Sequence, residues 1–395
     1  MKKEFYLSFF LFIYPLLILA PGMFTGFSKI DDGWMLLSND FVKLLTIQDL
    51  ISIFTESYHG QYSPLNTLYY SLVYNVFGYN PIAFHFFNIL IHCLNTVLLF
   101  FLLKKIGGLG VISQEWRMYV VFVTALIFGI HPMQVESVIW ISASKILLFS
   151  LFSILSIWSY LVSKEQGGGY KYYLLSLLFF IMSILSKEQA VILPVVILLI
   201  EILVEKKPVQ KKKIIYRTVI FFFIALIFGV LSIIIQEKGF GDRLETQYYP
   251  LSERLILACF AIVEYIYKII APINLNKFYA FPYTPGTSIP VYFYVYPIIF
   301  FLIVYYLCTL KDKKSLLFFL IFLSNLILSV HILPLARKVL IADRYVYLAI
   351  PFLILLLFEL LVKYKFSLKG WTKFAIIVIV IVLSIYTFSY SQNWS

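Results

Sequence analysis

Apolar runs of membrane length, separated by short basic clusters, limit the fold of this 395-residue chain more tightly than any other feature. At 1.5 Å per residue, a helix needs about 20 apolar residues to cross a hydrocarbon core of about 30 Å. Such runs fall at 5–22, 82–103, 118–131, 146–162, 172–186, 189–204, 214–235, 292–310, 315–332, 345–362 and 373–390, giving about eleven expected transmembrane helices. Hydrophobic residues make up 62% of the chain and charged residues 13%, too little polar surface for a soluble protein of this length. The expectation is an all-α polytopic membrane protein with one domain over 1–395. The formal charge of +12 sits in clusters between the apolar runs, so it reads as a topology signal and excludes a nucleic-acid surface. Cys93, Cys259 and Cys308 lie in or beside apolar runs without CxxC spacing, as small core hydrophobes do.

Lys2-Lys3, Lys104-Lys105 with Arg117, Lys164 with Lys171, the block Lys206 to Lys213, Lys311-Lys313-Lys314 and Lys363 to Lys373 all fall on one side if 255–271 does not cross. Glu253, Arg254, Glu264 and Lys268 make that segment an expected interfacial helix. The positive-inside rule then puts the N-terminus in the cytoplasm and the C-terminus outside the cell membrane. The external segments are 23–81, 132–145, 186–189, 236–291 and 333–344. In the first, Phe41, Leu44, Leu45, Leu50, Ile51 and Phe54 recur at helical spacing, which predicts one or two amphipathic helices along the membrane surface. The stretch from 118 to Trp140 is expected to kink or re-enter around Pro132. Met1-Lys2-Lys3 and the apolar run after it look like a signal peptide, but Pro21-Gly22-Met23 is a poor cleavage site, so the run reads as a retained first helix. Gly167-Gly168-Gly169 reads as a turn, and no internal repeat is visible.

Polar residues gather on the external side: Asp31-Asp32 after the first run, His131, Gln134 and Glu136 after the third, Lys187-Glu188 between two tightly joined runs, and Arg337-Lys338 and Asp343-Arg344-Tyr345 before the tenth. Ionisable groups at membrane depth are costly and mark cavities or pathways, so these point to one outward-facing cavity. Each group also has a structural reading. Asp31-Asp32 can be a solvated loop start, His131 can rest on a backbone carbonyl, and Asp343-Arg344 can anchor the interface. On helical spacing, Lys187 and Glu188 point to different sides and do not neutralise each other. His85 and His92 share a helix face and read as core packing ahead of a metal pair.

These segments, in this order, resemble the C-superfamily (GT-C) glycosyltransferases that use lipid-linked sugars, above all the membrane half of the transmembrane and tetratricopeptide-repeat O-mannosyltransferases and their bacterial relatives. The matching words are Asp31-Asp32, Tyr62-Ser-Pro-Leu65, Phe77-Gly-Tyr-Asn-Pro-Ile-Ala-Phe-His85 with Asn88-Ile-Leu-Ile-His92, His131-Pro-Met-Gln-Val-Glu136 through Trp140-Ile-Ser142, Leu185-Ser-Lys-Glu-Gln189, and Asp343-Arg-Tyr-Val-Tyr-Leu348. The chain departs from the family pattern at Ser63, where relatives have Arg, at Ala143-Ser144-Lys145, where they have a glycine-rich arginine word, and at Asp343, where they have Glu. Ser391-Gln-Asn-Trp-Ser395 looks like the linker that in relatives opens onto an external repeat domain, which is expected to be absent or truncated after 395.

The resemblance implies a polyprenyl-phosphate sugar donor, a hexose such as mannose, and a protein or lipid acceptor. It also implies displacement at the anomeric carbon, which needs a base for the acceptor hydroxyl and positive charge for the leaving phosphate. Asp31 or Asp32 is the expected base, with a slight preference for Asp32. Repulsion between the two carboxylates is expected to raise one of them, and the pair would hold a divalent cation if one is used. Arg344 and then Lys187 are the expected phosphate ligands, with His131, Glu136, Glu188 and Tyr345 binding sugar or acceptor or supporting those that do. Asp32→Asn and Arg344→Ala are each expected to abolish transfer with folding intact. The alternatives are a glycolipid-modifying enzyme of the same fold, and a transporter or flippase for a lipid-linked or anionic solute.

Overall fold

A computed structural model describes residues 2–43, 45–165, 168–204, 211–240, 249–333, 339–364, 366 and 370–394. Leu44, Gly167, Lys206-Lys207, Arg337-Lys338, part of the stretch Lys363 to Lys373 and Ser395 lie outside the described residues. Helices are the regular elements among those described, and the only β-type pairings are isolated bridges between Tyr58 and Gln61 and between Tyr279 and Ile341. The α-helices are α1 (Lys2–Leu19), α2 (Ile47–Thr55), α3 (Pro64–Phe77), α4 (Pro81–Ile106), α5 (Arg117–Ile130), α6 (Gln134–Ile139), α7 (Ser144–Ser163), α8 (Gly169–Ser186), α9 (Leu193–Val204), α10 (Lys211–Phe240), α11 (Leu251–Ile270), α12 (Val295–Thr309), α13 (Lys313–Leu326), α14 (Ile350–Lys363) and α15 (Trp371–Gln392).

Among the described residues, seven helical segments are long and apolar enough to cross a membrane: Lys2–Phe24, Pro81–Val111, Ile141–Ser163, Gly169–Ser186, Ile214–Lys238, Val291–Thr309 and Trp371–Gln392. The chain is a multi-pass membrane protein. The other four expected spans are helical but short, with 14 residues in α5, 12 in α9, 14 in α13 and 14 in α14. Straight helices of that length reach only about 18–21 Å.

The backbone explains the shortening. His131 precedes Pro132 and is extended (φ −70°, ψ 131°), which ends α5. Lys187 is extended (φ −160°, ψ 136°), and a 3-10 turn, Glu188–Ile192, separates it from α9. Ala342 is extended before a second 3-10 turn, Asp343–Val346, and Pro351 stands in the first turn of α14. Three of the four short helices are therefore interrupted where the sequence places its charged words.

The bundle is organised around α4, which packs on α1, α5 and α7, while α7 lies along α8 and α13 packs on both α9 and α14. His92 on α4 accepts from the Tyr347 hydroxyl at 2.7 Å through Nδ1 and donates to the Gly129 carbonyl at 3.0 Å through Nε2. His85 bonds Thr25 at 3.2 Å. Both are core residues that tie helices together. At Gly129 a Cβ would lie 2.7 Å from Pro15 Cγ and 2.9 Å from Thr96 Cγ2, so α5 approaches α1 and α4 where only glycine fits.

Of the residues expected to form one or two amphipathic helices in the first inter-helix segment, Leu50, Ile51 and Phe54 fall in α2 and Phe41 in a 3-10 turn, Asp40–Val42, while α3 follows beyond them. Thr46 and Asp49 form a capping box at the start of α2, and Pro64 opens α3 after the Ser63 turn. The charged segment 255–271 falls in α11, which is not among the seven membrane-length segments and buries Leu257, Ala261, Tyr265 and Lys268 on one face.

Candidate active site

Every residue from His131 to Ser144 is buried, and this run of α6 with its flanking turns is where the charged words meet. Asp32 is 1% exposed. Its Oδ1 accepts the Ser142 backbone N–H at 2.9 Å and the Ser142 hydroxyl, and its Oδ2 accepts the Ser28 N–H at 2.7 Å. Burial pushes the Asp32 carboxyl above its ordinary range, the bonds from Ser142 and Ser28 oppose that push, and the Asp31 charge adds the smallest upward contribution. The expected mutual repulsion is thus a minor cause beside burial.

Asp31 is half-buried, and its Oδ1 accepts the Trp34 indole N–H at 2.9 Å. Its Oδ2 accepts no hydrogen bond among the described residues. Trp34 in turn stacks on Tyr58, with centroids 6.3 Å apart, and meets the His59 ring edge-on at 5.5 Å, so an aromatic wall stands beside the open carboxylate oxygen.

Glu136 holds Arg344 from two directions. Its Oε2 accepts the Arg344 backbone N–H at 2.8 Å, and its Oε1 pairs with the guanidinium Nη1. The guanidinium carbon lies 4.9 Å from the Trp140 ring centre and 4.8 Å from that of Tyr345, with Nη2 donating to the Tyr345 hydroxyl at 3.3 Å. Asp343 is buried, so it does not anchor an interface. Its Oδ1 accepts the Tyr279 hydroxyl at 3.0 Å, while Oδ2 has no partner among the described residues. Burial and then the nearby Glu136 charge hold the Asp343 carboxyl well above the ordinary carboxylate range, which favours its neutral form.

The two remaining basic words differ from expectation. Because Lys187 is extended and not helical, its ammonium does come within 3.8 Å of Glu188 Oε1, so the helical-spacing argument against their pairing fails. Lys145, which sequence reasoning passed over, donates to Gln61 Oε1 at 2.8 Å, and the charges of Lys187, Glu188, Asp31 and Arg344 all act on its ammonium. Lys145 thus stands among the charged groups of the site. The only sequence signal for it was the departure at Ala143-Ser144-Lys145. Gln61 comes from the turn just before Tyr62-Ser-Pro-Leu65, so that word reaches the site through its preceding residue and not through Ser63.

His131 is completely buried. Nδ1 accepts the Met133 N–H at 3.2 Å and Nε2 donates to the Ile269 carbonyl at 3.0 Å, so the ring clips the end of α5 to the end of α11. Among the described residues, no three His, Cys, Asp or Glu side chains converge as a metal site. With Asp32 already accepting three hydrogen bonds, the aspartate pair offers one open oxygen, short of a protein-built divalent-cation site.

No family model matches the chain. It is 35% identical over 109 residues, 28% of this chain and 12% of the relative, to protein O-mannosyl-transferase TMTC1 of Homo sapiens. The human protein O-mannosyl-transferase TMTC4 is 32% identical over 108 residues, 26% of this chain and 15% of the relative. TMTC2 of Mus musculus is 33% identical over 103 residues, 26% and 11% respectively. The matched stretch thus spans about an eighth of these relatives' length. Over roughly a quarter of its length, this membrane-embedded helical chain is homologous to the TMTC protein O-mannosyl-transferases.

Proposed function

We propose that the chain is a GT-C membrane glycosyltransferase that moves a hexose, by its relatives mannose, from a polyprenyl-phosphate donor to a protein hydroxyl at the outer face of the membrane. The observation that supports this reading is that Asp32 and Arg344 both dock on one buried, interrupted segment, beside Asp31 and with Lys145 at its end, where the charges of Asp31, Lys187 and Arg344 reach Lys145. An open carboxylate beside several cations is what displacement of a phosphate at an anomeric carbon requires.

Asp31 is the base in this reading, because Oδ2 is open while both Asp32 oxygens are occupied; the slight sequence preference for Asp32 is reversed. The acceptor O–H gives its proton to Asp31, the oxygen forms the new bond to the anomeric carbon, and the bond from that carbon to the phosphate oxygen breaks. The electron pair leaves with polyprenyl phosphate. Asp32 positions the turn that carries Asp31. Lys145 and Lys187 carry the phosphate charge. Arg344 adds to it, but half of its hydrogen-bonding edge is committed to Glu136. Trp34 and Tyr58 offer flat apolar faces for the sugar or acceptor beside the base. No step is routed through a metal ion.

The test is to reconstitute the full chain in vesicles with radiolabelled polyprenyl-phosphate mannose and a membrane extract. Label moving to protein supports the proposal. Label moving to lipid supports the glycolipid-modifying alternative, and label that stays on the donor but changes leaflet supports a flippase.

A further inference from the structure

At the end of the bundle away from Asp32, a cavity of about 400 Å³ opens between α4 and α7. Leu98, Phe101, Ile154 and Leu155 line its walls, with Trp158, Lys104 and Lys105 at its head. From His85, near the aspartate pair, to Lys105 is about 30 Å along α4, a full hydrocarbon thickness. The cavity therefore belongs to the opposite leaflet.

Three features describe its occupant. First, the walls are apolar and belong to two membrane-length helices, so the body of the ligand is an acyl chain. From Leu98 to Lys105 the groove runs about 10 Å along α4, the length of the upper part of such a chain. Second, the head of the cavity carries two cations, Lys104 and Lys105, which stand in the last turn of α4, where the helix C-terminus favours positive side chains. Lys105 is held there by the Trp158 ring, 5.7 Å from its ammonium. Third, the two lysines are paired only with solvent-facing carboxylates: Lys104 with Glu4 at 2.6 Å and Lys105 with Glu165 at 2.7 Å, the acidic side chains being 37% and 50% exposed. Exposed pairs of this kind are weak and exchange readily for a better anion. Lys2 and Lys3, one turn from Glu4, leave this end of the bundle net basic.

We propose that this cavity binds one anionic phospholipid of the leaflet opposite the candidate active site, with its phosphate between Lys104 and Lys105 and an acyl chain along Leu98, Phe101, Ile154 and Leu155. The site depends on the chain's being a membrane protein and is independent of the glycosyltransferase reading. The charge at the head selects anionic over zwitterionic lipid, and the walls select lipid over free phosphate.

The test is native mass spectrometry of the full chain in detergent, titrated with phosphatidylglycerol, phosphatidylcholine or inorganic phosphate. Wild type is expected to hold one phosphatidylglycerol about tenfold more tightly than phosphatidylcholine, with no competition from millimolar phosphate. The double variant Lys104→Gln/Lys105→Gln is expected to lose that preference, and Leu155→Trp, which fills the groove and keeps both charges, to lose bound lipid of either kind. Equal affinity for the two lipids in wild type, full competition by phosphate, or unchanged binding in the groove-filling variant would each overturn the proposal. The wild-type and Leu155→Trp arms decide the matter even if the double variant does not fold.

Discussion

The lipid-facing long helices and the interrupted run obey opposite rules. In the membrane-length parts of Val291–Thr309 and Ile214–Lys238, only 11% and 17% of residues are buried, and most of the exposed side chains are aliphatic or aromatic. From His131 to Ser144 every residue is buried, yet the run holds His131, Gln134, Glu136, Ser142 and Ser144. Backbone facing lipid must satisfy its own hydrogen bonds, which only an unbroken helix does. A broken backbone is tolerated where protein surrounds it, and the breaks free polar groups for use. Chemistry therefore collects where helices stop.

This contrast can be broken most sharply at the open carboxylate. Asp31→Asn keeps the size and the Trp34 contact but removes the base, so transfer is expected to fall by about 10²–10⁴-fold with an unchanged unfolding midpoint. Lys145→Gln removes the central cation while a neutral side chain can still reach Gln61. The expected loss is about 10²-fold, mostly in kcat, measured with the labelled donor.

Arg344→Ala sharpens the same comparison through stability. It leaves Glu136 buried without its partner, so a loss of about 3 kcal/mol is expected in chemical unfolding, together with loss of transfer. The sequence expectation that this variant folds normally is revised for that reason. Gly129→Ala, which drives a methyl into Pro15 and Thr96, is expected to cost about 1–3 kcal/mol. By contrast Ile379→Ala, on the exposed face of α15, is expected to stay within about 0.5 kcal/mol and to leave transfer intact.

The pH dependence has a defined sign. Asp32 accepts three hydrogen bonds, which are strongest to the ionised carboxylate, and burial raises its carboxyl. Activity is therefore expected to fall on acidification at a pH above the ordinary aspartate range, as a rate profile would record. For stability the sign is the reverse of a salt-bridged aspartate. The raised carboxyl costs stability above its folded pKa, and that cost is lost as pH falls through it.

Much of the bundle was legible because hydrophobic length is a local property. Each of the eleven apolar runs contains an α-helix, membrane-length in seven of them, and the interruption at Pro132 was readable from the proline itself. Lys187 was misread because its spacing argument presumed a helix that the backbone does not form. Lys145 was missed for a different reason: it borders an apolar run, and its meaning comes from Gln61, 84 residues away in sequence. The division of labour between Asp31 and Asp32 likewise depends on Ser142, 110 residues from Asp32. Pairing across such distances is a property of packing, which residue spacing does not encode.

The most direct measurement is the initial rate of mannose transfer from labelled polyprenyl phosphate in vesicles containing wild type, Asp31→Asn or Ile379→Ala, each matched for unfolding midpoint. The prediction is wild-type transfer by Ile379→Ala and at least about a hundredfold less by Asp31→Asn. Equal rates for Asp31→Asn and wild type would contradict the assignment of the chemistry to the turn docked on the broken segment.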